Sequence, residues 1–140
     1  MINFHYETGF KLDDDAVYSN WLKAIIRSED RKTGEINYIF SDDATVLKIN
    51  INHLNHNTLT DIITFDYSHK DTLGCDVFIS VERVEDNAKT YKVSFHKELL
   101  RVMAHGILHC CGYNDKTEEE TAVMREKEEE KMLMFHVKQS

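Results

Sequence analysis

The chain has 140 residues, 41% of them hydrophobic, and no proline-rich or glycine/serine-rich linker, so we predict one domain spanning residues 1–140. Its 25 acidic and 17 basic residues give a net charge of −8, which argues against broad, nonspecific binding to nucleic acid. No apolar run approaches the roughly 20 residues that cross a bilayer, and no charged-then-apolar leader opens the chain. We therefore expect a soluble protein of the cytoplasm.

The predicted elements follow from apolar periodicity and from turn residues. Residues 2–6 alternate apolar and polar side chains, as half-buried strands do. Aspartates at 13–15 favour a helix start, because the helix dipole attracts negative charge there. Thr33-Gly34 predicts a turn into the second strand, and residues 67–72 predict a polar, mobile loop. In chain order we predict strands at 2–6, 35–40, 61–66 and 74–79, and helices at about 13–28, 42–54, 81–90, 94–111 and 117–135.

Residues that favour helix caps precede the later helices. Thr117, followed three residues later by Glu120, predicts a capping box for the last helix. That helix also carries two glutamate clusters, 118–120 and 128–130, which we interpret as a solvated face. The predicted cap residues are Ser41 or Asp42, Ser80, Ser94 and Thr117.

The order β-α-β-α-β-β-α-α-α places helices between and after the strands. Layers of this kind pack helices against a sheet that contains both parallel and antiparallel strand pairs. This order indicates an α/β or an α+β layer with a mixed sheet. Of the two we predict an α+β fold with a four-stranded mixed β-sheet, helices packed against it, and a zincin-like metal helix.

The predicted metal helix carries His105 and His109, which are four residues apart and therefore leave the same helix face. Gly112 stands where the helix should end, since glycine takes a left-handed turn without a Cβ penalty. Asp115 follows that turn and is placed to offer a carboxylate oxygen to the same ion. Two nitrogens and one oxygen suit one Zn²⁺ ion, with a fourth position left for water. The alternative to a metal site is purely structural: Gly112 would be an ordinary helix cap, and Asp115 an ordinary turn residue.

Zinc peptidases of the H-E-x-x-H type need a glutamate beside the first histidine as general base. Here that position is Gly106, so peptidase chemistry lacks its base. A glycine inside a helix costs about 1 kcal/mol against alanine, which suggests either close backbone packing or room for a bulky substrate.

Three cysteines, two of them adjacent, make a poor disulfide framework. We interpret Cys75, Cys110 and Cys111 as reduced thiols, with core packing favoured over metal ligation. The stretch from Asn87 to Arg101 is the most basic in the chain, and the alternatives for it are a grip on an RNA backbone or a solvated surface.

The run His105-Gly106-Ile107-Leu108-His109, followed by Gly112-Tyr113, closely resembles the signature of the YbeY family of bacterial endoribonucleases. Residues 60–65 look like the strand motif of that family, and residues 73–80 look like the strand and turn that follow it. With Glu98-Leu99-Leu100-Arg101 and the acidic last helix, the resemblance covers most of the chain. The histidine run is its most specific part.

The resemblance implies a metal-dependent, single-strand-specific endoribonuclease that acts in ribosomal RNA maturation, at the 3′ end of the small-subunit RNA, and in ribosome quality control. It implies single-stranded or ribosomal RNA and the small ribosomal subunit as partners, with no membrane and no DNA expected. It places the metal in a cleft between the site helix and the sheet edge. Asp61, Asp76 and Glu98 lie in the shared motifs and are candidate acids or bases, and the general base is left unassigned.

The chain departs from the commoner family pattern at two positions. Asp115 stands where the family usually has a third histidine, which lowers the net charge of the site and broadens metal preference towards manganese or iron. Leu54 falls where the family usually has an arginine, which removes a cation that could grip phosphate. Two other functions are weighed against the nuclease: a zinc metallopeptidase with the same H-x3-H-x2-G-x2-D geometry, and a non-catalytic, ribosome-associated metal-binding module.

Overall fold

The computed structural model describes residues 1–54 and 59–139, without the side chains of Leu54 and of residues 136–139. In this part of the chain, four strands and five helices follow one another in the predicted order. The strands are β1 (Ile2–Tyr6), β2 (Lys32–Ser41), β3 (Ile62–Asp66) and β4 (Thr72–Ser80). The helices are α1 (Asp15–Ser28), α2 (Asp43–Leu54), α3 (Val81–Tyr91), α4 (Phe95–Cys110) and α5 (Glu118–Gln139).

The described strands form one sheet in the order β1-β2-β4-β3. β1 lies parallel to β2, because α1 carries the chain back across the sheet between them. β2 is also parallel to β4, whereas β3 is antiparallel to β4, to which a short turn joins it. The prediction of an α+β fold with a four-stranded mixed sheet is confirmed.

Two predicted connections differ from the structure. Gly34 lies inside β2, at a register irregularity between Thr33 and Ile36, and not in a turn. A Cβ at this position would lie 2.5 Å from the carbonyl oxygen of Leu73, so glycine allows β2 and β4 to approach here. The connector 67–72 forms a hydrogen-bonded hairpin turn, in which the His69 and Thr72 amides each donate to the other residue's carbonyl at 3.0 Å.

The predicted helix caps are confirmed. The Asp42 carboxylate accepts a hydrogen bond from the Thr45 amide at 2.8 Å and so begins α2. Ser80 and Ser94 accept in the same way at the starts of α3 and α4, at 3.1 and 3.0 Å. Among the described residues, no helix combines the length and the apolar character needed to span a membrane.

One face of the sheet is covered by α4, which carries the histidine run. Alternate residues of β4 are fully buried, as expected for strand positions that face a packed helix: Leu73, Cys75, Val77 and Ile79. A Cβ on Gly106 would lie 3.1 Å from a methyl group of Val77 and 3.3 Å from Ile62 Cδ1. Gly106 therefore serves close packing of the helix on β3 and β4, the first of the two explanations that the sequence allowed.

Candidate active site

The end of α4 turns the chain back towards the histidines. Gly112 has a φ angle of +105°. Its amide donates to the His109 carbonyl, and the Tyr113 amide donates to the Leu108 carbonyl, both at 3.1 Å. These two bonds form a Schellman motif, which satisfies the last helix carbonyls and reverses the chain direction. The prediction that α4 ends at Gly112 is confirmed, and the chain reversal there places Asp115 beside α4.

Replacing Gly112 with alanine should lower the free energy of unfolding by about 1–2 kcal/mol, because an L-residue is strained at this φ angle. Urea unfolding followed by circular dichroism measures the change. Gly9→Ala is the matched control, since a Cβ there meets nothing within 4 Å, and its midpoint should hardly move. An unchanged midpoint for Gly112→Ala would show that the turn tolerates a side chain.

The start of α5 is held by the predicted capping box. The Glu120 amide donates to the Thr117 hydroxyl at 3.0 Å, and the Glu120 carboxylate accepts from the Thr117 amide at 3.1 Å. The Thr121 hydroxyl also donates to the Asp115 carbonyl at 3.2 Å. The backbone that carries Asp115 is thus tied to the helix that follows it.

The His105 ring lies between two carboxylates. Its Nδ1 is 2.7 Å from Oε2 of Glu128, a hydrogen-bonding distance. On the other side of the ring, Nε2 is 3.4 Å from Oδ2 of Asp115. An unprotonated ring nitrogen and a carboxylate oxygen repel each other, so the second contact calls for a proton or a metal ion between the two atoms.

The spacing of this second pair fits a metal ion. Bonds from zinc to nitrogen and oxygen of about 2.0–2.2 Å, arranged as a tetrahedron, put two donor atoms about 3.3–3.6 Å apart. The separation between His105 Nε2 and Asp115 Oδ2 falls in this range. The donor types are also those that zinc, manganese and iron accept.

His109 lies one turn further along α4 and is half-buried. Within residues 1–54 and 59–139, no group of three or more His, Cys, Asp or Glu side chains is arranged to hold a metal ion. The structure therefore brings His105 and Asp115 together, and the set of three ligands stays a prediction. On a helix, residues at this spacing have Cβ atoms about 5–6 Å apart, which is within reach of a side-chain rotation.

Glu128 was predicted to lie on a solvated face, and this prediction is wrong. Only 1% of Glu128 is exposed, and its carboxylate contacts both His105 and Arg101. A signal for this burial exists in the sequence, because Glu128 falls four residues after Met124 and seven before Phe135, both of them buried. The clusters of acidic residues on either side hid that spacing.

Arg101 is the centre of a buried ion-pair cluster. Its guanidinium pairs with Glu98 through two contacts, at 2.5 and 3.1 Å, and with Glu128 at 3.2 Å. Asp61 lies 3.7 Å away. Burial alone would lower the pKa of Arg101, but hydrogen bonds and charges from Glu98, Glu128 and Asp61 raise it above its usual value. Arg101 is therefore engaged by protein carboxylates, so the RNA grip suggested for the basic stretch cannot rest on it.

A cavity of ≈ 300 Å³ opens beside these groups, between α4, α5 and the edge of the sheet at β3. It is lined by Thr60, Asp61, Ile62, Arg101, Val102, His105, Asp115, Thr121, Met124, Arg125 and Glu128.

The three candidate acids or bases fall into different places. Asp61 lines the cavity, and Glu98 is buried against Arg101. Asp76 belongs to the sheet face opposite α4, because Val77, the next residue in the strand, faces that helix. Its carboxylate accepts hydrogen bonds there from Asn37 and Tyr67. Asp76 is therefore not part of the candidate site.

The three cysteines are buried and unpaired. Burial raises the pKa of the Cys111 thiol to about 11. A hydrogen bond with Cys75, together with burial, raises the pKa of Cys110 as well. Metal ligation needs a thiolate, so these raised pKa values favour core packing, the interpretation preferred from the sequence.

The chain is similar to known proteins over nearly its whole length. The family model for endoribonuclease YbeY matches residues 3–136. An endoribonuclease YbeY from Flavobacterium johnsoniae is 58% identical over 139 residues, covering 99% of this chain and all of the relative. A second, from Flavobacterium psychrophilum, is 52% identical over 140 residues, with both chains fully covered.

The fold also matches a solved structure. The solution structure of TM1509 from Thermotoga maritima superposes with a TM-score of 0.66 at 26% sequence identity, covering 96% of this chain and 89% of that one. The family model and the two relatives each span nearly the whole chain. The chain belongs to the endoribonuclease YbeY family.

Proposed function

We propose that this chain is a metal-dependent endoribonuclease that cleaves single-stranded RNA, matures the 3′ end of small-subunit ribosomal RNA and acts in ribosome quality control. The observation that carries the proposal is the His105–Asp115 pair, whose donor atoms lie 3.4 Å apart at the wall of the cavity. Membership of the endoribonuclease YbeY family supports RNA as the substrate. We further propose that the protein works in the cytoplasm with the small ribosomal subunit.

The residues that would hold the ion, one Zn²⁺ per chain, are His105, His109 and Asp115. When bound, such an ion polarises a phosphoryl oxygen or lowers the pKa of its water. His105 and Asp115 supply one nitrogen and one oxygen donor from opposite sides of the chain reversal at Gly112. Asp61 and Arg101 line the same cavity and lie 3.7 Å from each other. No residue is assigned as the general base.

The arginine that the family usually carries is absent, and the side chain of Leu54, which stands in its place, lies outside the described part of the structure. Arg101 does not replace it, because carboxylates already surround its guanidinium. Lys92 and Lys97 remain as exposed cations near the start of α4. We propose that they contribute to RNA binding.

The decisive experiment uses the purified chain and a labelled single-stranded RNA. Cleavage should stop with a chelator and return when zinc is added back. Double-stranded RNA and casein serve as the specificity substrates, and neither should be cut. Hydrolysis of casein would support the metallopeptidase, which family membership and Gly106 both disfavour. Metal-dependent RNA binding without turnover would support the non-catalytic module and overturn the proposed activity.

The exposed lysines give a separate prediction. Replacing Lys92 and Lys97 with glutamate should weaken RNA affinity and reduce its dependence on salt, since each lost phosphate contact on a single strand lowers the salt slope by about 0.7. Fluorescence anisotropy with a single-stranded RNA at several salt concentrations measures both quantities. The control replaces Lys11 and Lys23 with glutamate, because both are exposed, lie outside the stretch from Asn87 to Arg101, and give the same change of charge. Unchanged affinity in the double variant would show that this stretch is only a solvated surface.

A further inference from the structure

The buried carboxylate of Glu128 touches two groups that constrain it in different ways. Its Oε1 accepts from Nη1 of Arg101 at 3.2 Å, and its Oε2 lies 2.7 Å from Nδ1 of His105. Arginine is always a donor, whereas a neutral imidazole nitrogen can donate or accept. A carboxylate only accepts, and each ring nitrogen of His105 faces one. The contact with Glu128 is the shorter and is buried, whereas the Asp115 side chain is 47% exposed and lies 3.4 Å from Nε2, so a neutral ring is better satisfied with its proton on Nδ1.

We propose that Glu128 is a positioning residue for His105. Resting on the proposed function, the inference is that Glu128 holds the ring proton on Nδ1 and leaves the Nε2 lone pair directed at Asp115, where a metal ion would bind. Carboxylates that accept from the second nitrogen of a ligand histidine fix both its tautomer and its ring orientation. Nothing in the histidine run itself identifies this partner, which comes from a different helix.

Burial strengthens the effect of this contact. Glu128 is 1% exposed, so water does not compete for its oxygens. Arg101 holds the opposite oxygen and is itself held by Glu98, which is 2% exposed. The carboxylate therefore has little freedom to turn away from His105. Arg101 therefore fixes the position of the Glu128 carboxylate, and this carboxylate fixes the orientation of the His105 ring.

The isosteric substitution Glu128→Gln tests the inference sharply. Glutamine has one oxygen, and Arg101 can only donate, so the amide oxygen must face Arg101 and the amide nitrogen must face His105. The Nδ1 atom of His105 then has to accept, which moves the ring proton to Nε2. The substitution keeps the volume of the side chain and reverses the tautomer, thereby blocking the nitrogen that faces Asp115.

Two measurements follow, each with Glu129→Gln as the matched control. Glu129 is exposed, neighbours Glu128 and loses the same charge. Long-range ¹H–¹⁵N spectra of the metal-free protein, recorded where the ring is neutral, should show the Nδ1–H tautomer of His105 in wild type and in the control, and the Nε2–H tautomer in Glu128→Gln. Competition with a chromophoric chelator should show affinity for Zn²⁺ or Co²⁺ reduced about 10–100-fold only in Glu128→Gln.

The tautomer separates this inference from the proposed function. An Nε2–H tautomer in the wild-type protein would overturn the role of Glu128, whether or not the protein binds metal. A folded Glu128→Gln variant whose tautomer and metal affinity are both unchanged would overturn it as well. If Glu128→Gln does not fold, the wild-type spectrum still decides. Wild-type protein with the Nδ1–H tautomer but without metal binding or RNA cleavage would instead defeat the proposed function alone.

Discussion

Replacing His105 with alanine should abolish metal-dependent RNA cleavage, with a loss of at least about a hundredfold, because a metal ion supplies several kcal/mol of transition-state stabilisation. The variant removes the nitrogen that lies 3.4 Å from the Asp115 carboxylate and the group that Glu128 contacts at 2.7 Å. Metal content after purification without chelator should fall with activity. Initial rates on single-stranded RNA and metal analysis by mass spectrometry measure the two effects.

His96→Ala is the matched control, because His96 lies on the same helix and its Nε2 contacts the Tyr18 hydroxyl at 3.1 Å, away from the cavity. It should keep both metal and activity. Full activity and full metal content in His105→Ala would defeat the site assignment. His109→Ala and Asp115→Ala complete the series, and zinc content equal to wild type in either would remove that residue from the predicted set of three ligands.

Replacing Arg101 with methionine should lower the free energy of unfolding by about 3–5 kcal/mol, since it leaves buried carboxylates without their cation. Glu98 and Glu128 are 2% and 1% exposed and both bind the guanidinium, so their charges are compensated by Arg101 and not by water. Urea unfolding followed by circular dichroism measures the change at neutral pH.

The control for this experiment is Lys97→Met, an exposed position on the same helix, which should change stability by less than about 0.5 kcal/mol. Adding Glu98→Gln to Arg101→Met should recover part of the lost stability, because one of the uncompensated charges is removed. A loss below about 1 kcal/mol in Arg101→Met would mean that the cluster is hydrated more than its burial indicates.

The sequence and the structure lead to different interpretations of the cations near the site. The stretch from Asn87 to Arg101 is basic by count, but a count does not distinguish a free cation from a paired one. Arg101 is enclosed by Asp61, Glu98 and Glu128, two of which come from other elements. Ion pairs of this kind join residues far apart in the chain, so no local pattern reveals them.

The sequence by itself determined the order of the elements, the helix caps and the histidine helix with its glycine stop. These features are local: a cap, a capping box or a left-handed turn is decided by residues within about four positions of one another. The structure agrees at Asp42, Ser80, Ser94, Thr117 and Gly112.

Only the tertiary structure decided that β2 passes Leu73 closely at Gly34, that Asp76 faces away from α4, and that Glu128 is buried against His105. Each of these depends on which element packs against which. A buried glutamate and an exposed one look alike in a run of acidic residues, and the difference arises when α5 lies beside α4 and places the Glu128 carboxylate between Arg101 and His105. Water is excluded there, so the carboxylate is held by these two partners and not by solvent.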